Sequence, residues 1–386
     1  MTLWIFWLSA AAVAYAYVGY PLLLGIVGSL RRRRVRKELV TPRVSLIIAA
    51  YNEEQNIGRR LDNALSLDYP SRNLEIIVAS DGSDDSTEAM VKTYAPRGVR
   101  LLSLSRRGKI HALDAAISSA GGEILAFSDA NVMYDSQALR RLARNFADPE
   151  VGGAAGAKVY RIEPQSDSSS RGEDLYWSYD TWIKGMESLT GSIVSADGAI
   201  YAIRANLYRR PADTAVTDDF AISTGVIEQG YRLVFDGEAR AYEAAMPAAE
   251  REFGRKVRLI TRGLRGVILR RRLLNPFRYG FYSIALFSHK LLRRLVPLWL
   301  LMLFFGSALT SASGRIYWAA AVAQSSFYAI ACLGYLLRRT RLGGWKCFYV
   351  PFFYCLANAA ALVAMVRLLR GDHIELWRPQ RHGTGT

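Results

Sequence analysis

The hydrophobic residues of this chain occur in runs of two lengths, long runs near its ends and short runs in its middle. A helix that crosses the hydrocarbon core of a membrane needs about 20 consecutive apolar residues. Uncharged runs of this length predict four membrane helices, one N-terminal and three C-terminal. They are Met1–Leu30, Leu295–Gly314, Ile316–Leu337 and Cys347–Val366.

Between the long runs, short apolar runs alternate with segments of mixed polarity. Val44–Ala50 is apolar without alternation, which is typical of a strand buried on both faces. Capping residues such as those in Ser83–Ser86 open the segments between the strands and predict helices. Strands that alternate with helices at this spacing predict an α/β domain with a mostly parallel sheet. The expected strands are Val44–Ala50, Glu75–Ser80, Val99–Leu104 and Glu123–Phe127, and the expected helices run toward Leu65, from Ser86 to Tyr94 and from Ile110 to Ser119.

A different pattern follows the α/β region, where apolar residues recur every three or four positions from Phe253 to Ile268. This spacing predicts an amphipathic helix whose apolar face lies on the membrane and whose basic face meets anionic lipid or a phosphate group. Tyr279–His289 is apolar but too short to span, so it predicts a second interfacial segment. The basic face carries Arg255, Arg258, Arg262 and Arg265.

Charge predicts how the membrane helices are oriented. The chain has 386 residues, of which 51% are hydrophobic, and a formal net charge of +16. The cluster Arg31–Lys37 directly follows the first apolar run, and the positive-inside rule places such a cluster in the cytoplasm. We therefore expect Arg31–Lys290 to be cytoplasmic, while the side of Arg367–Thr386 stays open. Nucleic acid is not an expected partner, because topology and membrane lipids account for the charge.

The expected organisation has five parts. The first apolar run precedes its charges and is too long for a signal peptide, so it predicts a retained anchor. A polar segment, Ser166–Gly172, predicts a mobile loop inside the α/β domain. The parts are the anchor 1–30, the cytoplasmic domain 31–250, the amphipathic interfacial helices 251–292, three membrane helices 293–369 and a tail 370–386.

Three carboxylates carry the candidate chemistry. Asp81 and Asp129 each end a predicted strand, and ligands of open α/β sheets bind at the carboxyl ends of strands. Asp219 ends the motif Thr217–Asp219, in a charged region where a catalytic base could lie. Each motif alone is weak, because turn and cap chemistry explains most such residues. Their order along the chain is the stronger signal.

The ordered motifs resemble those of the membrane-bound family 2 glycosyltransferases, which have the nucleotide-sugar-binding GT-A fold. The membrane helices look like those of the cellulose, chitin and hyaluronan synthase branch. The motifs are Tyr51–Glu53, Asp81–Ser83, Gly108–Lys109, Asp129–Asn131 and Thr217–Asp219.

The resemblance implies a role for each motif. Asp81 matches the carboxylate that receives the uracil, and Lys109 resembles the basic residue near the diphosphate. Asp129 and Asn131 match the motif that binds Mg²⁺ or Mn²⁺, and Asp219 matches the general base. Gly198–Tyr201 resembles the strand beneath the acceptor sugar. The substrate-binding residues that the resemblance implies are Ala49, Tyr51, Glu53, Asp81, Lys109, Ser128, Gly198, Asp218 and Arg258.

Three motifs depart from the family pattern. Asn131 replaces the second Asp of the metal motif, and its amide oxygen can still coordinate a hard cation with less charge. Asp218 replaces a Glu. The family motif Gln-x-x-Arg-Trp appears as Arg255–Leu259, which keeps the Arg and lacks the Gln and the Trp. Since that Trp supports the terminal sugar in processive synthases, long-chain processivity stays open.

The residues and the resemblance together predict an inverting glycosyltransferase that uses a nucleoside diphosphate sugar, such as a UDP-sugar. Direct displacement inverts the anomeric centre and needs one base, which Asp219 supplies. The expected acceptor is a growing polysaccharide or glycan of the cell envelope. The alternative is transfer of a single sugar to polyprenyl phosphate or another lipid. An oligomer or an export partner is possible on this sequence, and the sugar and the linkage stay open.

Overall fold

The computed structural model describes residues 2–161, 168–211, 213–244 and 249–372. The chain divides into two compact units. One contains an eight-stranded sheet and is called the sheet unit, and the other contains the long apolar helices and is called the helical unit. The sheet unit comprises Arg32–Arg161 and Lys184–Ala244, and the helical unit comprises Met1–Arg31, Ile162–Ile183 and Ala245–Asp372.

The sheet has the strand order β3-β2-β1-β4-β7-β6-β8-β5. Four of the seven pairings between neighbouring strands are parallel and three are antiparallel. The prediction of a mostly parallel sheet is therefore confirmed, and the antiparallel pairings are those of β7 with its two neighbours and of the edge strand β5 with β8. The strands are β1 Val44–Ala50, β2 Leu74–Asp81, β3 Val99–Leu104, β4 Ile124–Asp129, β5 Met133–Tyr134, β6 Val151–Arg161, β7 Tyr201–Arg204 and β8 Arg232–Ala244.

The parallel half of the sheet brings the predicted motifs to one edge. The first strand, β1, lies between β2 and β4, and Ala49 is aligned with Ala79 on one side and with Asp129 on the other. All seven residues of β1 are buried, as its unbroken apolar sequence predicts. Since the three strands run in the same direction, Asp81 and Asp129 both lie at the carboxyl edge.

The helices of the sheet unit follow its strands and cover the sheet. On α2, Ile57, Leu61 and Ala64 are fully buried at the four- and three-residue spacing of a helix face that packs on a core. Gly82 follows β2 with a φ of +68°, and a Cβ there would lie 2.7 Å from the backbone nitrogen of Arg106, so this turn requires glycine. The helices are α2 Ile57–Leu65, α3 Thr87–Thr93, α4 Lys109–Ser119, α5 Ala138–Ala143 and α7 Asp218–Glu228.

Four helices of the helical unit are long and apolar enough to cross a membrane, as predicted. Large apolar side chains such as Trp4, Leu309 and Leu336 are exposed on them, which suits a surface that faces lipid. The helices are α1 Thr2–Leu30, α10 Phe281–Leu309, α11 Arg315–Leu337 and α12 Lys346–Leu369.

The second interfacial segment predicted at Tyr279–His289 does not exist as a separate element. Phe281–Leu309 is one continuous helix of 29 residues, preceded by the short α9 Pro276–Tyr279. The prediction divided this helix into an interfacial segment and a membrane helix from Leu295, because the charged residues Lys290, Arg293 and Arg294 interrupt the apolar sequence. A π-helical stretch from Phe287 to Leu292, in which hydrogen bonds join residues five apart, carries the helix through this region.

The amphipathic helix predicted from Phe253 to Ile268 is α8, Ala249–Leu269. Its predicted partners were partly wrong. Val257, Ile260 and Leu264 pack against Ala360, Ala361 and Ala364 of α12 instead of facing lipid. On the basic face, Arg255 and Arg262 are buried, and Arg255 pairs with Glu252 at 2.9 Å. The small residues of α12 let the apolar face of α8 approach closely.

The loop predicted at Ser166–Gly172 was also partly wrong. The helix α6, Ser168–Thr190, begins inside it, while residues 166 and 167 lie outside the described residues. The predicted tail from residue 370 is described only to Asp372.

Candidate active site

Asp81 organises the loop that opens α4. Its carboxylate accepts hydrogen bonds from the backbone nitrogens of Arg107, at 2.8 Å, and Gly108, at 2.9 Å, and from the guanidinium of Arg106. Arg106 in turn lies over the ring of Tyr51, with its guanidinium carbon 3.3 Å from the ring centroid. The predicted base-binding residues Tyr51 and Asp81 are therefore brought together around Arg106, which the sequence did not point to.

Lys109 joins two of the predicted carboxylates. Its ammonium nitrogen lies 2.6 Å from Oδ1 of Asp129 and 3.0 Å from Oδ2 of Asp218. Burial by itself lowers the pKa of Lys109, but the two carboxylates outweigh burial and raise it above the usual value. The lysine is therefore charged at every physiological pH.

Asp129 and Asn131 have oxygen atoms that suit a divalent cation. They lie two residues apart where β4 ends, and carboxylate and amide oxygens are ligands that Mg²⁺ and Mn²⁺ prefer. Burial raises the pKa of Asp129, and the charges of Asp218 and Glu243 add to the rise against the effect of Lys109. A bound cation would relieve this repulsion between carboxylates, so the residues fit the metal that the family pattern implies.

A buried hydroxyl supports the same conclusion. Tyr201 is fully buried and stacks on Phe127 with 4.6 Å between the ring centroids. Its hydroxyl has no hydrogen-bond partner among the described residues. Burial raises its pKa well above the usual value, and the nearby charges of Asp218, Asp219 and Asp129 raise it further. A buried hydroxyl beside the carboxylates without a partner is an atom that a ligand or its water can satisfy.

Asp219 lies at the N-terminus of α7, where the backbone amides favour a negative charge. Its Oδ2 accepts from the backbone nitrogen of Gly198 at 3.1 Å, and its Oδ1 accepts from that of Phe220 at 2.7 Å. A Cβ at Gly198 would lie 3.5 Å from Oδ2 of Asp129 and 3.9 Å from both Asp219 Oδ2 and Lys109 Nζ. Gly198 thus keeps open the space between the two carboxylates. Gly198 lies in the turn before β7. Because β7 begins at Tyr201, the strand predicted at Gly198–Tyr201 started three residues too early.

Glu53 is buried beside the same edge. Its carboxylate accepts from the side chain of Asn56 at 2.8 Å. Burial raises its pKa to about 7 against the effect of Asn56, and the charges of Asp129 and Asp85 raise it further.

Ser128 lies beside Asp129, and its hydroxyl oxygen accepts a hydrogen bond from Nε of the buried Arg60 at 3.2 Å.

Arg258 lies on α8 of the helical unit and is half-buried. Its role toward a diphosphate stays a prediction.

A second group of charged residues was missed by the sequence analysis. The ammonium of Lys158, on β6, lies 3.4 Å from Asp197 and 3.5 Å from Glu243, on β8. Glu243 also accepts a hydrogen bond from the amide nitrogen of Asn131 at 3.3 Å. The only sequence signal was a lysine directly after a run of small apolar residues, Val151–Ala157, all of which are buried.

Residues 45–211 match the family model described as glycosyl transferase family 2. The chain contains a family 2 glycosyltransferase domain. Poly-beta-1,6-N-acetyl-D-glucosamine synthase of Staphylococcus aureus is 29% identical over 205 residues, which cover 50% of this chain and 48% of that protein. The synthase of Staphylococcus epidermidis is 28% identical over 203 residues, covering 51% and 48%. The chain therefore spans about half the length of the curated relatives it matches.

A solved structure resembles nearly the whole chain. The mannosyltransferase PcManGT from Pyrobaculum calidifontis, in complex with GDP-Man and Mn²⁺, has a TM-score of 0.73 and 21% sequence identity. The match covers 95% of this chain and 99% of that one. This likeness confirms the predicted GT-A fold, to which the chain adds four helices that are long and apolar enough to cross a membrane.

Proposed function

We propose that the protein is an inverting membrane glycosyltransferase that moves a sugar from a nucleoside diphosphate sugar to a glycan acceptor. The observation that carries the proposal is the meeting of Lys109, Asp129, Asp218 and Asp219 around the open space at Gly198. This space contains the ammonium of Lys109, the carboxylates of Asp129 and Asp218, and the candidate base Asp219. Such a set of charges suits a reaction in which a diphosphate departs and an acceptor hydroxyl group attacks.

Each residue has a chemical task in this reaction. Lys109 is charged and lies beside Asp129, so it can stabilise the charge that develops on the departing diphosphate. Asp129 and Asn131 would hold Mg²⁺ or Mn²⁺, which supplies further electrostatic stabilisation of the diphosphate. Asp219 takes the proton from the acceptor hydroxyl as the new bond forms. One base and one displacement invert the anomeric centre.

The donor is proposed to be a UDP-sugar. The curated relatives are named as synthases of an N-acetylglucosamine polymer, which makes UDP-N-acetylglucosamine the first donor to test. The resemblance assigns Asp81 and Tyr51 to the base, and both contact Arg106. It also assigns Ala49, Glu53 and Ser128 to the substrate, and these follow or end the neighbouring strands β1 and β4. Because Arg106 and two backbone amides already occupy Asp81, a uracil would have to replace or share one of these donors.

The proposed location is the plasma membrane, with the sheet unit in the cytoplasm. The cluster Arg31–Lys37 at the end of α1 supports this orientation, and nucleotide sugars are expected on the same side. We propose the five-part organisation predicted from the sequence, with one change. The first of the three C-terminal membrane helices begins at Phe281. Membrane lipids are proposed partners, and an oligomer or an export partner fits a polymer product.

The acceptor divides the proposal into two versions. A growing polysaccharide fits the names of the curated relatives. Transfer of one sugar to polyprenyl phosphate or another lipid fits the absence of the tryptophan from Arg255–Leu259, because that residue would support a polymer end. Product size separates the two versions, since only the first yields a ladder or a long polymer.

The test is incubation of the purified full-length protein, in detergent and in lipid, with a panel of UDP- and GDP-sugars and Mg²⁺ or Mn²⁺. We expect nucleotide release with a UDP-sugar that requires the cation and an added glycan or lipid acceptor. Asp219→Asn is the matched control, because it removes the base and keeps the shape of the side chain. No release above this control with any donor and acceptor would contradict the proposal.

A further inference from the structure

We propose that Glu243 is a positioning residue of the cation site, which holds the amide of Asn131 so that its oxygen is the atom available to the cation. The inference rests on the proposed function, because the cation is the one expected at Asp129. It assigns a role to a residue outside the family motifs and explains how an asparagine can serve where a carboxylate is expected.

The hydrogen bond between the two side chains selects one orientation of the amide. Oε1 of Glu243 lies 3.3 Å from Nδ2 of Asn131. An ionised carboxylate only accepts hydrogen bonds, so it can pair with the amide nitrogen and not with the amide oxygen. The nitrogen of Asn131 is therefore held on Glu243, and the oxygen is left for another partner.

Lys158 contacts the other oxygen of Glu243 and helps to fix the position of its side chain. Its ammonium lies 3.5 Å from Oε2 of Glu243 and 3.4 Å from Oδ2 of Asp197. The lysine side chain is only 7% exposed, so its contact with the carboxylate is screened little by water. Lys158 thus engages one oxygen of Glu243 and Asn131 engages the other.

Strand pairing brings these residues together. Met133 of β5 pairs with Tyr242 of β8, and Tyr160 of β6 pairs with Glu243. Asn131 lies two residues before β5, so the short β5–β8 ladder places it beside a residue 112 positions later in the chain. Asn131 itself lies in the turn between β4 and β5, and the adjoining β5–β8 ladder fixes where this turn meets β8.

Orientation matters more for an amide than for a carboxylate. Either oxygen of an aspartate at position 131 could meet a cation. An asparagine turned the other way would present two N–H groups, whose partial positive charge repels a cation. Partners that orient metal ligands typically change metal affinity by about 10- to 100-fold when they are removed.

The test is a mutant cycle on Mn²⁺ binding, read by electron paramagnetic resonance of the free ion without any sugar donor. The full-length protein in detergent is compared with Glu243→Gln, Asn131→Ala and the double variant. A glutamine at 243 can pair with either end of the amide, so we expect it to weaken Mn²⁺ binding by about 10- to 100-fold. In the Asn131→Ala background the same change should have no effect, because Glu243 acts through Asn131.

Two results would overturn the inference. Unchanged Mn²⁺ affinity in Glu243→Gln, or no saturable Mn²⁺ binding by the natural protein, would remove the role of Glu243. An equal loss in the Asn131→Ala background would make Glu243 a direct ligand instead. If Asn131→Ala binds Mn²⁺ too weakly to measure, the double variant Asn131→Asp with Glu243→Gln is compared with Glu243→Gln alone. Tighter Mn²⁺ binding by the double variant supports the inference, and equal binding contradicts it.

Glu238→Gln is the matched control, since Glu238 lies on the same strand, pairs with Arg144 and is mostly exposed. It should bind Mn²⁺ like the natural protein. Nucleotide release is measured in parallel. A cycle that behaves as expected in a protein that releases no nucleotide would refute the proposed function and leave the inference standing.

Discussion

The two halves of the sheet contribute to the candidate site in different ways. In the parallel half, β3-β2-β1-β4, Asp81 and Asp129 are the last residues of their strands. In the mixed half, β7-β6-β8-β5, Lys158 and Glu243 lie within strands and meet their partners through strand pairing. The parallel half can be interpreted from local motifs, because parallel strands bring their carboxyl ends to one edge. The mixed half depends on contacts between residues far apart in sequence.

The difference suggests a division of labour that experiments can test. The parallel half contains the residues expected to hold the nucleotide and the diphosphate, Tyr51, Asp81, Lys109 and Asp129. The mixed half contains Gly198 before β7 and leads into α7, which carries the base Asp219. Substitutions in the first group should affect donor and cation binding, and those of Gly198 or Asp219 should affect the transfer step. Glu243 is the exception in the mixed half, because it acts on the cation site through Asn131.

The largest effect is expected for Asp219→Asn. Loss of the general base should lower turnover by about 10²- to 10⁴-fold, or about 3 to 5 kcal/mol of activation free energy. Donor affinity, measured by calorimetry on the same preparation, should stay close to that of the natural protein, because the residue faces the acceptor in the proposed reaction. Turnover near that of the natural protein would remove Asp219 from the mechanism and the proposed division with it.

Asp129→Ala should have the next largest effect, and on the other half of the sheet. Removal of the carboxylate should abolish saturable Mn²⁺ binding and lower turnover by about 10²-fold or more. It should also leave Lys109 with one carboxylate partner instead of two. The natural protein should lose activity in excess EDTA and regain it with Mn²⁺. Full activity in EDTA would contradict a cation at this edge.

Glu53 gives a prediction about stability. Because its folded-state pKa is about 7 and the usual value is 4.5, the native state binds more protons than the unfolded state between these pH values. Stability should therefore fall as pH rises from about 4.5 to 7, by about 3 kcal/mol from this group. Glu53→Gln should remove this dependence and be more stable than the natural protein at pH 8. Thermal unfolding in EDTA from pH 4 to pH 8 measures it, with the neighbouring exposed Glu54→Gln as control. If Glu53→Gln and the natural protein lose stability equally as pH rises, burial does not raise the pKa of Glu53.

The local pattern of the chain was enough to predict the parallel half. The bounds predicted for Val44–Ala50 and Val99–Leu104 are those of β1 and β3. Short apolar runs between turn residues are determined by local sequence, so they can be found without a structure. The four long apolar helices were found for the same reason, since their length and composition alone identify them.

The partners of an amphipathic surface could not be predicted in the same way. The spacing of Val257, Ile260 and Leu264 showed that one face of α8 is buried, but not whether lipid or protein buries it. That information lies in the small residues Ala360, Ala361 and Ala364, which are about 100 positions away along the chain. Glu243 was missed for a related reason, because nothing near it in sequence shows that it meets Asn131.

The smallest effect is expected for Asn131→Asp, and it separates the local view from the structural one. Sequence alone predicts that an added carboxylate tightens cation binding, since it restores the second acid of the family motif. The structure places that carboxylate against Glu243, where the hydrogen bond from the amide nitrogen is lost and two like charges meet. The gain and the cost should nearly cancel, so the Kd for Mn²⁺ should stay within about threefold of the natural value, less than about 1 kcal/mol. Titration followed by electron paramagnetic resonance measures it. Binding that is tenfold tighter would show that Glu243 does not oppose a charge at position 131, and the mixed half of the sheet would then have no part in setting cation affinity.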